Sequence, residues 1–356
     1  MIYVGIDMHP GNMTLAAVND NADLVCEEKI PCDPDHLSSF FASIDRPVQA
    51  VVESTSSWYW LNDWCLQQDI PLILAHSKMV KAISYAKVKT DSVDAQTLAI
   101  LLRADLIPKA WKTKKHRREL RELTRGRLRL IRRRRRIQNQ IYSICTKYNV
   151  RYGDNSWYHL TRMERSLLDH LPQIACIEVE YCFDQLRMIQ GHVHGLEASI
   201  ERQVWFNEEL SRLLQIPGVG FVTAWTILAE IGDINRFPSD KQFVSYCRLV
   251  PGSNDSGGKQ RHKSGNKDGN SYLKAAFMQA AIAATCRSGP VRDYYKKIKK
   301  RSGRYVARSV VGKELARIVW HMLTRDESYR GFKGQPTSVK TRFAWPQPIN
   351  PRPRQG

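Results

Sequence analysis

The sequence predicts an α/β domain followed by an all-α remainder, and three observations carry this prediction. Short apolar runs alternate with turn residues and helical patterns over residues 2–74. From residue 108 the chain becomes strongly basic, and its apolar residues then follow a helical 3-4 spacing. The chain has 356 residues, of which 42% are hydrophobic, so it can form about two or three domains with real cores.

The α/β domain is predicted to begin with an antiparallel meander. Three short apolar runs separated by turn residues predict three strands, at 2–6, 15–18 and 23–30. Two helical patterns then alternate with two further apolar runs, in the order 35–44, 48–53, 58–68 and 70–74. This alternation predicts a sheet with helices packed on it.

Four carboxylates in this domain predict a metal site. Asp7 and Glu53 each end an apolar strand, and ligands in open α/β sheets gather at the carboxyl ends of strands. Asp91 and Asp94 stand three residues apart at the start of a predicted helix, so they share one face. Taken alone, that pair is explained more simply by the helix dipole, which favours acids in the first turn. Four acids together need divalent cations, and two ions about 3.5–4 Å apart suit phosphoryl transfer.

The net charge of +20 is unevenly distributed and indicates a polyanionic partner. Residues 1–60 hold nine acids and two bases, a net charge of −7 that leaves +27 on the rest of the chain. An acidic N-terminal part followed by a strongly basic remainder predicts a metal site that the basic part brings to nucleic acid.

The eight scattered cysteines include no C-x-x-C pair, which argues against a zinc site or a disulfide framework. No apolar run approaches 18 residues, so we expect a soluble cytosolic protein with no membrane partner.

A basic helical arm is predicted after the α/β domain. Residues 112–136 contain 14 Lys and Arg against two acids, and a seam of apolar residues runs on to 148. A second seam at 186–203 completes a prediction of two long antiparallel helices, at 112–148 and about 178–210. Solubility needs far less charge than this, so we expect phosphate contacts from the arginines, namely Arg127, Arg132, Arg133, Arg134, Arg135 and Arg136. The pattern leaves open whether the helices pair with each other or with another subunit.

The last part of the chain carries two further candidate contacts. Residues 216–220 read Ile-Pro-Gly-Val-Gly and resemble the hairpin of helix-hairpin-helix DNA binders, in which Gly218 and Gly220 would approach a phosphate. A tight turn between two helices remains the alternative. A polar, glycine-rich loop at 249–270 then leads into a helix at 271–286. Its bases, with one earlier lysine, are predicted phosphate contacts: Lys89, Lys259, Arg261, Lys263 and Lys267.

These motifs resemble those of the bacterial insertion-sequence transposases of the IS110 family, which includes the Piv-type DNA invertases. Residues 4–7, 52–54 and 89–95 resemble the DEDD set of the family's RuvC-like domain, which has the ribonuclease-H fold. Residues 249–274 resemble its C-terminal signature, an L-x-P block, a Ser-Gly step and Lys-x-Gly-Asn before a helix. The chain departs from this pattern at Gly265 and Asn266, where the family often has Ile-Ser.

The resemblance implies both a site and a mechanism. Asp7, Glu53, Asp91 and Asp94 would bind Mg²⁺, with Mn²⁺ as an alternative, and Ser256 of the Ser-Gly step would be the nucleophile. Attack on a DNA phosphodiester would form a covalent phosphoserine, followed by strand exchange through a junction. Ser253 and Ser264 are weaker candidates for the nucleophile because they lie off the motif.

The resemblance also implies partners and an architecture. Double-stranded donor and target DNA, a non-coding bridge RNA as guide, and a homo-oligomer (dimer or tetramer) in the bacterial cytoplasm at the nucleoid are expected. The implied domains are a RuvC-like domain at 1–110, a basic coiled-coil arm at 111–210, a mainly helical C-terminal transposase domain at 211–330 and a flexible tail at 331–356. The arm would assemble subunits and contact the guide RNA.

Three alternatives compete with this interpretation. A junction-resolving nuclease would use the carboxylates with water as nucleophile, and a nucleic-acid scaffold would have acids that are only structural. A sugar-kinase or actin-like fold shares the early strand and acid. That fold needs a glycine-rich phosphate loop, which residues 7–10 do not supply.

Overall fold

The computed structural model describes residues 1–55, 57–84, 90–151, 157, 159–203, 208–250, 255–256, 259–260 and 268–332, with the backbone alone at 203, 255–256 and 259–260. The chain forms two compact units, 1–113 and 114–356. Among the described helices, none combines the length and the apolar character needed to cross a membrane.

The first unit is built on a five-stranded mixed sheet. Its strands are β1 (Ile2–Met8), β2 (Asn12–Val18), β3 (Leu24–Pro31), β4 (Val48–Glu53) and β5 (Leu72–Ala75). They lie in the order β3-β2-β1-β4-β5, with an antiparallel β1–β2–β3 meander and with β4 and β5 parallel to β1. The predicted meander and the helix–strand alternation that follows it are therefore confirmed.

Helices cover both faces of this sheet. They are α1 (Pro34–Ala42), α2 (Trp58–Gln67), α3 (Ser77–Ile83) and α4 (Asp91–Arg103). Alternate residues of a strand point to opposite faces, so Val4 and Ile6 of β1 enter one core with side chains of α1 and α2. On the other face, Val51 of β4 packs with Leu98 and Leu102 of α4. Helix α3 did not stand out in the sequence pattern.

Strand β1 and helix α4 come into direct contact at Gly5. A Cβ at this position would overlap backbone atoms of Ala95 and Ala99, so only glycine allows the helix to lie this close. The hydroxyl of Thr90 caps the helix by accepting a hydrogen bond from the Val93 N–H at 3.3 Å. This packing brings the first turn of α4 to the carboxyl end of β1.

Within its described residues, the second unit has helices and one short pair of antiparallel strands. Its helices are α5 (Lys115–Lys147), α6 (Leu160–Leu168), α7 (Gln173–Gln203), α8 (Glu208–Leu214), α9 (Phe221–Ile231), α10 (Asp240–Tyr246), α11 (Ser271–Cys286) and α12 (Pro290–Arg325). The hairpin pairs β6 (Asp255–Ser256) with β7 (Lys259–Gln260). Helix α12 is interrupted at Gly303, where φ is 78°.

Helices α5 and α7 pack on each other within the chain, which answers the question that the sequence left open. Gln140 donates a hydrogen bond to Glu178 at 2.8 Å, and Arg127 pairs with Glu197 at 2.6 Å, so the two helices run antiparallel. Their shared core is apolar and includes Ile137, Ile141, Ile144, Val179, Leu186, Ile189 and Val193.

The seam between these helices is shorter than predicted. Leu120 and Leu123 pack on a different core, the one formed by α8 to α12, because the first turns of α5 lie against α9. At the other end, the side chain of Tyr148 is 43% exposed. Only the middle of the predicted seam therefore faces α7.

The core of α8 to α12 has Phe243, Phe277 and Leu315 at its centre, each with no exposed surface. Phe332 is also buried in this core, with its ring centroid 5.4 Å from that of Tyr294. The flexible tail was predicted for 331–356, so Phe332 lies within its predicted bounds and is nevertheless buried. Residues 333–356 lie outside the described residues. Since the predicted arm and the predicted last domain share one compact unit, the four-part division of the chain stays a prediction.

Candidate active site

The four predicted carboxylates converge at one edge of the sheet. Ile6 of β1 pairs with Val52 of β4, so the next residues, Asp7 and Glu53, lie at the same level near the carboxyl ends of two neighbouring parallel strands. The first turn of α4 adds two acids, and the charges of Asp91 and Asp94 both act on Asp7. The charges of Asp7 and Asp94 likewise act on Glu53 and raise its pKa.

Burial and mutual repulsion raise the pKa of two of these acids. The pKa of Asp7 is raised chiefly by burial and further by Asp94 and Asp91, against an opposing effect of His9. Burial also raises the pKa of Glu53, which a hydrogen bond from Ser77 and the charge of Lys81 partly offset. Ionised carboxylates in such a place are unfavourable unless a cation lies beside them.

Two nitrogen-bearing side chains that the sequence did not indicate, the imidazole of His9 and the ammonium of Lys29, lie against these acids. The Nε2 atom of His9 is 3.1 Å from Asp7 Oδ2 and 3.3 Å from Asp91 Oδ1. The Nζ atom of Lys29 lies 2.9 Å from Asp91 Oδ2, and this hydrogen bond is the main reason that the pKa of Asp91 is lowered. Asp7 pairs with Thr14 and Thr14 with Lys29 across three strands, so the sheet register carries the ammonium to this edge.

The donor set at this edge fits a divalent metal ion. Asp7, His9 and Asp91 each offer a ligand atom, and these atoms lie within 4.8 Å of one another. Carboxylate oxygens are the ligands that Mg²⁺ and Mn²⁺ prefer, and a bound cation would favour the ionised forms of Asp7 and Glu53. The metal hypothesis therefore agrees with the chemistry of the residues present.

Ser256, the predicted nucleophile, lies in the short hairpin of the second unit. In the backbone pairing it stands opposite Lys259. The other predicted phosphate contacts of this loop, Arg261, Lys263 and Lys267, lie outside the described residues. Lys89, the predicted contact in the first unit, lies outside them as well. Their roles stay predictions.

A buried carboxylate, which the sequence did not single out, anchors the helix that follows the serine hairpin. Glu230 of α9 has no exposed surface and accepts two hydrogen bonds from Arg125 of α5, at 2.6 and 2.9 Å. Asn270 donates to the same carboxylate at 2.7 Å, while its own side-chain oxygen caps the first turn of α11. Arg121 of α5 donates to two carbonyls at the end of α9, at 2.7 and 2.9 Å. One acid inside the otherwise apolar stretch 221–231 was the available signal.

The arginines of the arm fall into two groups. Arg132, Arg133, Arg135 and Arg136 are exposed on α5 and make no ion pair among the described residues, and Arg134 is partly buried. The guanidinium of Arg132 lies 5.6 Å from the ring centroid of Tyr272. Arg127 is different, because its Nε atom is engaged by Glu197 at 2.6 Å.

The two glycines of the predicted hairpin have different surroundings. Gly218 has a φ of 85°, and a Cβ there would overlap the backbone of α11 at Ala280 and Ala284. Gly220 precedes α9 as its N-cap residue and has open space where a Cβ would lie. Close packing on α11 thus explains why position 218 requires glycine. Phosphate contact at either glycine stays a prediction.

Comparison with known proteins places both ends of the chain in transposase families. A family model for DEDD transposases of the IS110 type, described as "Transposase", matches residues 4–150. A second model, described as "Transposase IS116/IS110/IS902 family", matches residues 210–296. Together the two matches span most of the chain.

Several relatives are similar over long stretches. A "Probable family 20 transposase" of Pseudomonas aeruginosa is 23% identical over 341 residues, which is 92% of this chain and 98% of the relative. The "Transposase for insertion sequence element IS1111A" of Coxiella burnetii is 26% identical over 258 residues, 68% of each chain. The "Transposase for insertion sequence element IS1328" of Yersinia enterocolitica is 27% identical over 137 residues, 37% of this chain and 41% of the relative.

The acidic sheet edge and these matches define a class of DNA-processing enzyme, the transposases of insertion sequences. Within that class, the chain belongs to the IS110 family of transposases.

Proposed function

We propose that this transposase is a metal-dependent DNA recombinase with a RuvC-like catalytic domain and a serine nucleophile. The observation that carries the proposal is the convergence of Asp7, Glu53, Asp91 and Asp94 at the carboxyl ends of β1 and β4. The strand order of the sheet supports the ribonuclease-H fold, in which a meander is followed by two parallel strands. These four acids would hold Mg²⁺ or Mn²⁺, which when bound polarises a phosphate and lowers the proton affinity of a hydroxyl.

The serine step follows from the chemistry of phosphoryl transfer. The Oγ atom of Ser256 attacks the phosphorus, a bond from serine to phosphorus forms, and the bond to one sugar oxygen breaks. Water takes up the serine proton, and the leaving sugar oxygen takes up a proton from water, so the protons balance. Attack by the sugar hydroxyl of a second strand would reverse these changes, releasing serine and joining the new strand. Lys259, Arg261 and Lys263 would hold the phosphate and stabilise the developing negative charge.

The partners in this proposal are double-stranded donor and target DNA and a non-coding bridge RNA. The exposed arginines of α5 support an electrostatic contact with a phosphate backbone, and the arm is the segment that we assign to the RNA. Assembly into a homo-oligomer, action at the bacterial nucleoid and the four-part domain division belong to the same proposal.

The decisive experiment is a denaturing gel of the full chain with DNA from the element's ends, RNA from its flanking region, and Mg²⁺. We expect a protein band linked covalently to DNA, lost in Ser256→Ala and retained in the matched control Ser253→Ala. A linked band that persists in Ser256→Ala would refute the nucleophile assignment.

The same gel separates the alternatives. If the protein is a junction-resolving nuclease that relies on the four carboxylates and water, the Ser256→Ala variant would still cut DNA, and no covalently linked band would form. A scaffold with structural acids would give neither breakage nor adduct, even in the unaltered chain.

A further inference from the structure

We propose that His9 is a metal ligand, whose imidazole nitrogen joins Asp7 and Asp91 on one ion and gives the site a preference for Mn²⁺ over Mg²⁺. The inference rests on the proposed function only in that the acidic cluster binds a divalent ion. It does not depend on Ser256 or on any step of strand exchange.

The spacing of the three donor atoms carries the proposal. Two neighbouring ligands of an octahedral ion, each about 2.1 Å from it, lie about 3.0 Å apart. The Nε2 atom of His9 stands 3.1 Å from Asp7 Oδ2 and 3.3 Å from Asp91 Oδ1, close to that separation on both sides. The imidazole therefore faces the two carboxylate oxygens at which an ion would be held.

An ordered turn fixes His9 in this position. Met8, the preceding residue, is buried in the core on the opposite face of the sheet. The His9 N–H donates to the carbonyl of Asn12 at 2.9 Å, and its own carbonyl lies 3.3 Å from the thiol sulfur of Cys32. With both backbone groups engaged, the turn presents the side chain at the end of β1, beside Asp7.

Lys29 orients the third ligand. Its ammonium lies 2.9 Å from Asp91 Oδ2, which leaves Oδ1 as the oxygen that faces His9. Groups that hold the outer atom of a metal ligand commonly fix its direction in this way. The arrangement thus has two carboxylate ligands, one imidazole ligand and a cation that holds one of the carboxylates in place.

A nitrogen ligand changes which ion the site prefers. Both Mg²⁺ and Mn²⁺ favour carboxylate oxygen, but Mn²⁺ is a first-row transition ion and gains more than Mg²⁺ from one imidazole nitrogen among its ligands. Loss of His9 should therefore weaken Mn²⁺ binding far more than Mg²⁺ binding. A histidine that merely bridges the two carboxylates would affect both ions alike.

The test is direct Mn²⁺ binding to the metal-free full chain, followed by electron paramagnetic resonance, with Mg²⁺ affinity measured by competition. In pulsed spin-echo spectra, the unaltered protein should show modulation from a coordinated ¹⁴N nucleus, and His9→Ala should lose it. We expect the Mn²⁺ dissociation constant of His9→Ala to rise about 10-fold or more, and that of Mg²⁺ to change by less than about two-fold. His36→Ala is the matched control, because His36 pairs with Asp33 and not with the acidic cluster.

Each other outcome has a definite meaning. Persistence of the ¹⁴N modulation in His9→Ala, or equal weakening of both ions, would overturn the inference while leaving the carboxylate site intact. Asp7→Asn separates the two proposals, because loss of Mn²⁺ binding in that variant supports the metal centre itself. If Asp7→Asn binds Mn²⁺ as tightly as the unaltered chain, the proposed metal centre is refuted, and the proposal that His9 is its ligand is refuted with it.

A melting curve checks that the His9→Ala variant folds. Because His9 is about half exposed, this variant should retain the thermal stability of the unaltered chain.

Discussion

Asp7 and Glu53 are residues whose ionised forms oppose folding when no cation is bound. Burial is the first cause of the raised pKa in both, so the folded chain binds their protons more tightly than the unfolded chain does. The free energy of unfolding therefore falls as the pH rises from the ordinary carboxyl range through the raised values. Above those values the cost is fully present, and binding of a divalent ion offsets it.

Replacement of Asp7 should consequently stabilise the metal-free protein. At pH 8 in EDTA we expect Asp7→Asn to raise the melting temperature by about 2–4 °C, or about 1 kcal/mol, because a partly buried charge is removed. The gain should shrink as the pH is lowered towards 4, where Asp7 is increasingly protonated. The variant should also lose most of the rise in melting temperature that Mg²⁺ produces in the unaltered chain at pH 8.

Differential scanning calorimetry across pH, with and without Mg²⁺, measures all three effects. Asp20→Asn is a suitable control, because a hydrogen bond from the N-terminal ammonium lowers the pKa of Asp20, and its loss should not stabilise the fold. A melting temperature of Asp7→Asn that is lower in EDTA, or a gain that is the same at pH 4 and pH 8, would contradict this account.

The acidic residues of the candidate site could be predicted from sequence, but the histidine and the lysine beside them could not. Asp7 and Glu53 each follow an apolar strand, and the rule for strand ends needs no further information. Lys29 reaches Asp91 only through the register of three strands, and His9 reaches both acids only through the geometry of a turn. Glu230 was overlooked for a related reason, since its partners lie over a hundred residues earlier in the chain or forty later.

Among the elements, capped helices were the most predictable. Asn270 begins α11 by accepting hydrogen bonds from two of the first backbone N–H groups, and this helix spans the residues that the sequence predicts, 271–286. The seam of α5 was predicted less well. A 3-4 pattern of apolar residues shows that a helix is buried along one stripe, but it does not show which partner covers each turn.

The turn before α9 allows a direct test of two explanations for its glycines, close helix packing and contact with a phosphate. Gly218→Ala should destabilise the second unit by about 1–3 kcal/mol, because the new methyl group meets the backbone of α11 and the positive φ disfavours alanine. Gly220→Ala should cost about 1 kcal/mol or less, since it meets open space and weakens only an N-cap.

Urea unfolding of the two variants measures this difference. Nucleic-acid affinity, measured by fluorescence anisotropy on the folded proteins, then tests the predicted phosphate contact. Equal destabilisation by the two substitutions would show that the close approach of Gly218 to α11 is not what requires glycine there.

At the scale of the whole molecule, charge is divided between an acidic sheet edge and a basic helix. The exposed arginines of α5 should act through counterion release, so their effect should appear in the salt dependence of binding. Replacement of Arg133, Arg135 and Arg136 together by Gln should lower the slope of log affinity against log salt by about 0.7–0.9 for each phosphate that these arginines neutralise.

Anisotropy titrations with labelled RNA and with duplex DNA, over a series of salt concentrations, give this slope. Arg127→Gln is the control from the same helix, because its guanidinium is already engaged by Glu197 and we expect its slope to be unchanged. If the triple variant keeps the full slope, the arm is not the surface that binds the phosphate backbone.

The bonds around Glu230 have a consequence for how such chains can diversify. Arg121 and Arg125 belong to the arm helix by position, yet both are bound to α9 in the C-terminal core. Arg125 donates to the carboxylate of Glu230, which has no exposed surface, and Arg121 donates to the backbone carbonyls of Ala229 and Glu230. A buried charge that loses its partner costs about 3–5 kcal/mol, a large share of the stability of an ordinary domain. Recombination between relatives that exchanged the whole of α5 without α9 could leave Glu230 buried without the arginine that donates to its carboxylate. Inheritance should therefore keep the first turns of α5 together with α9, whereas the later turns of α5 are not tied to that core by these bonds.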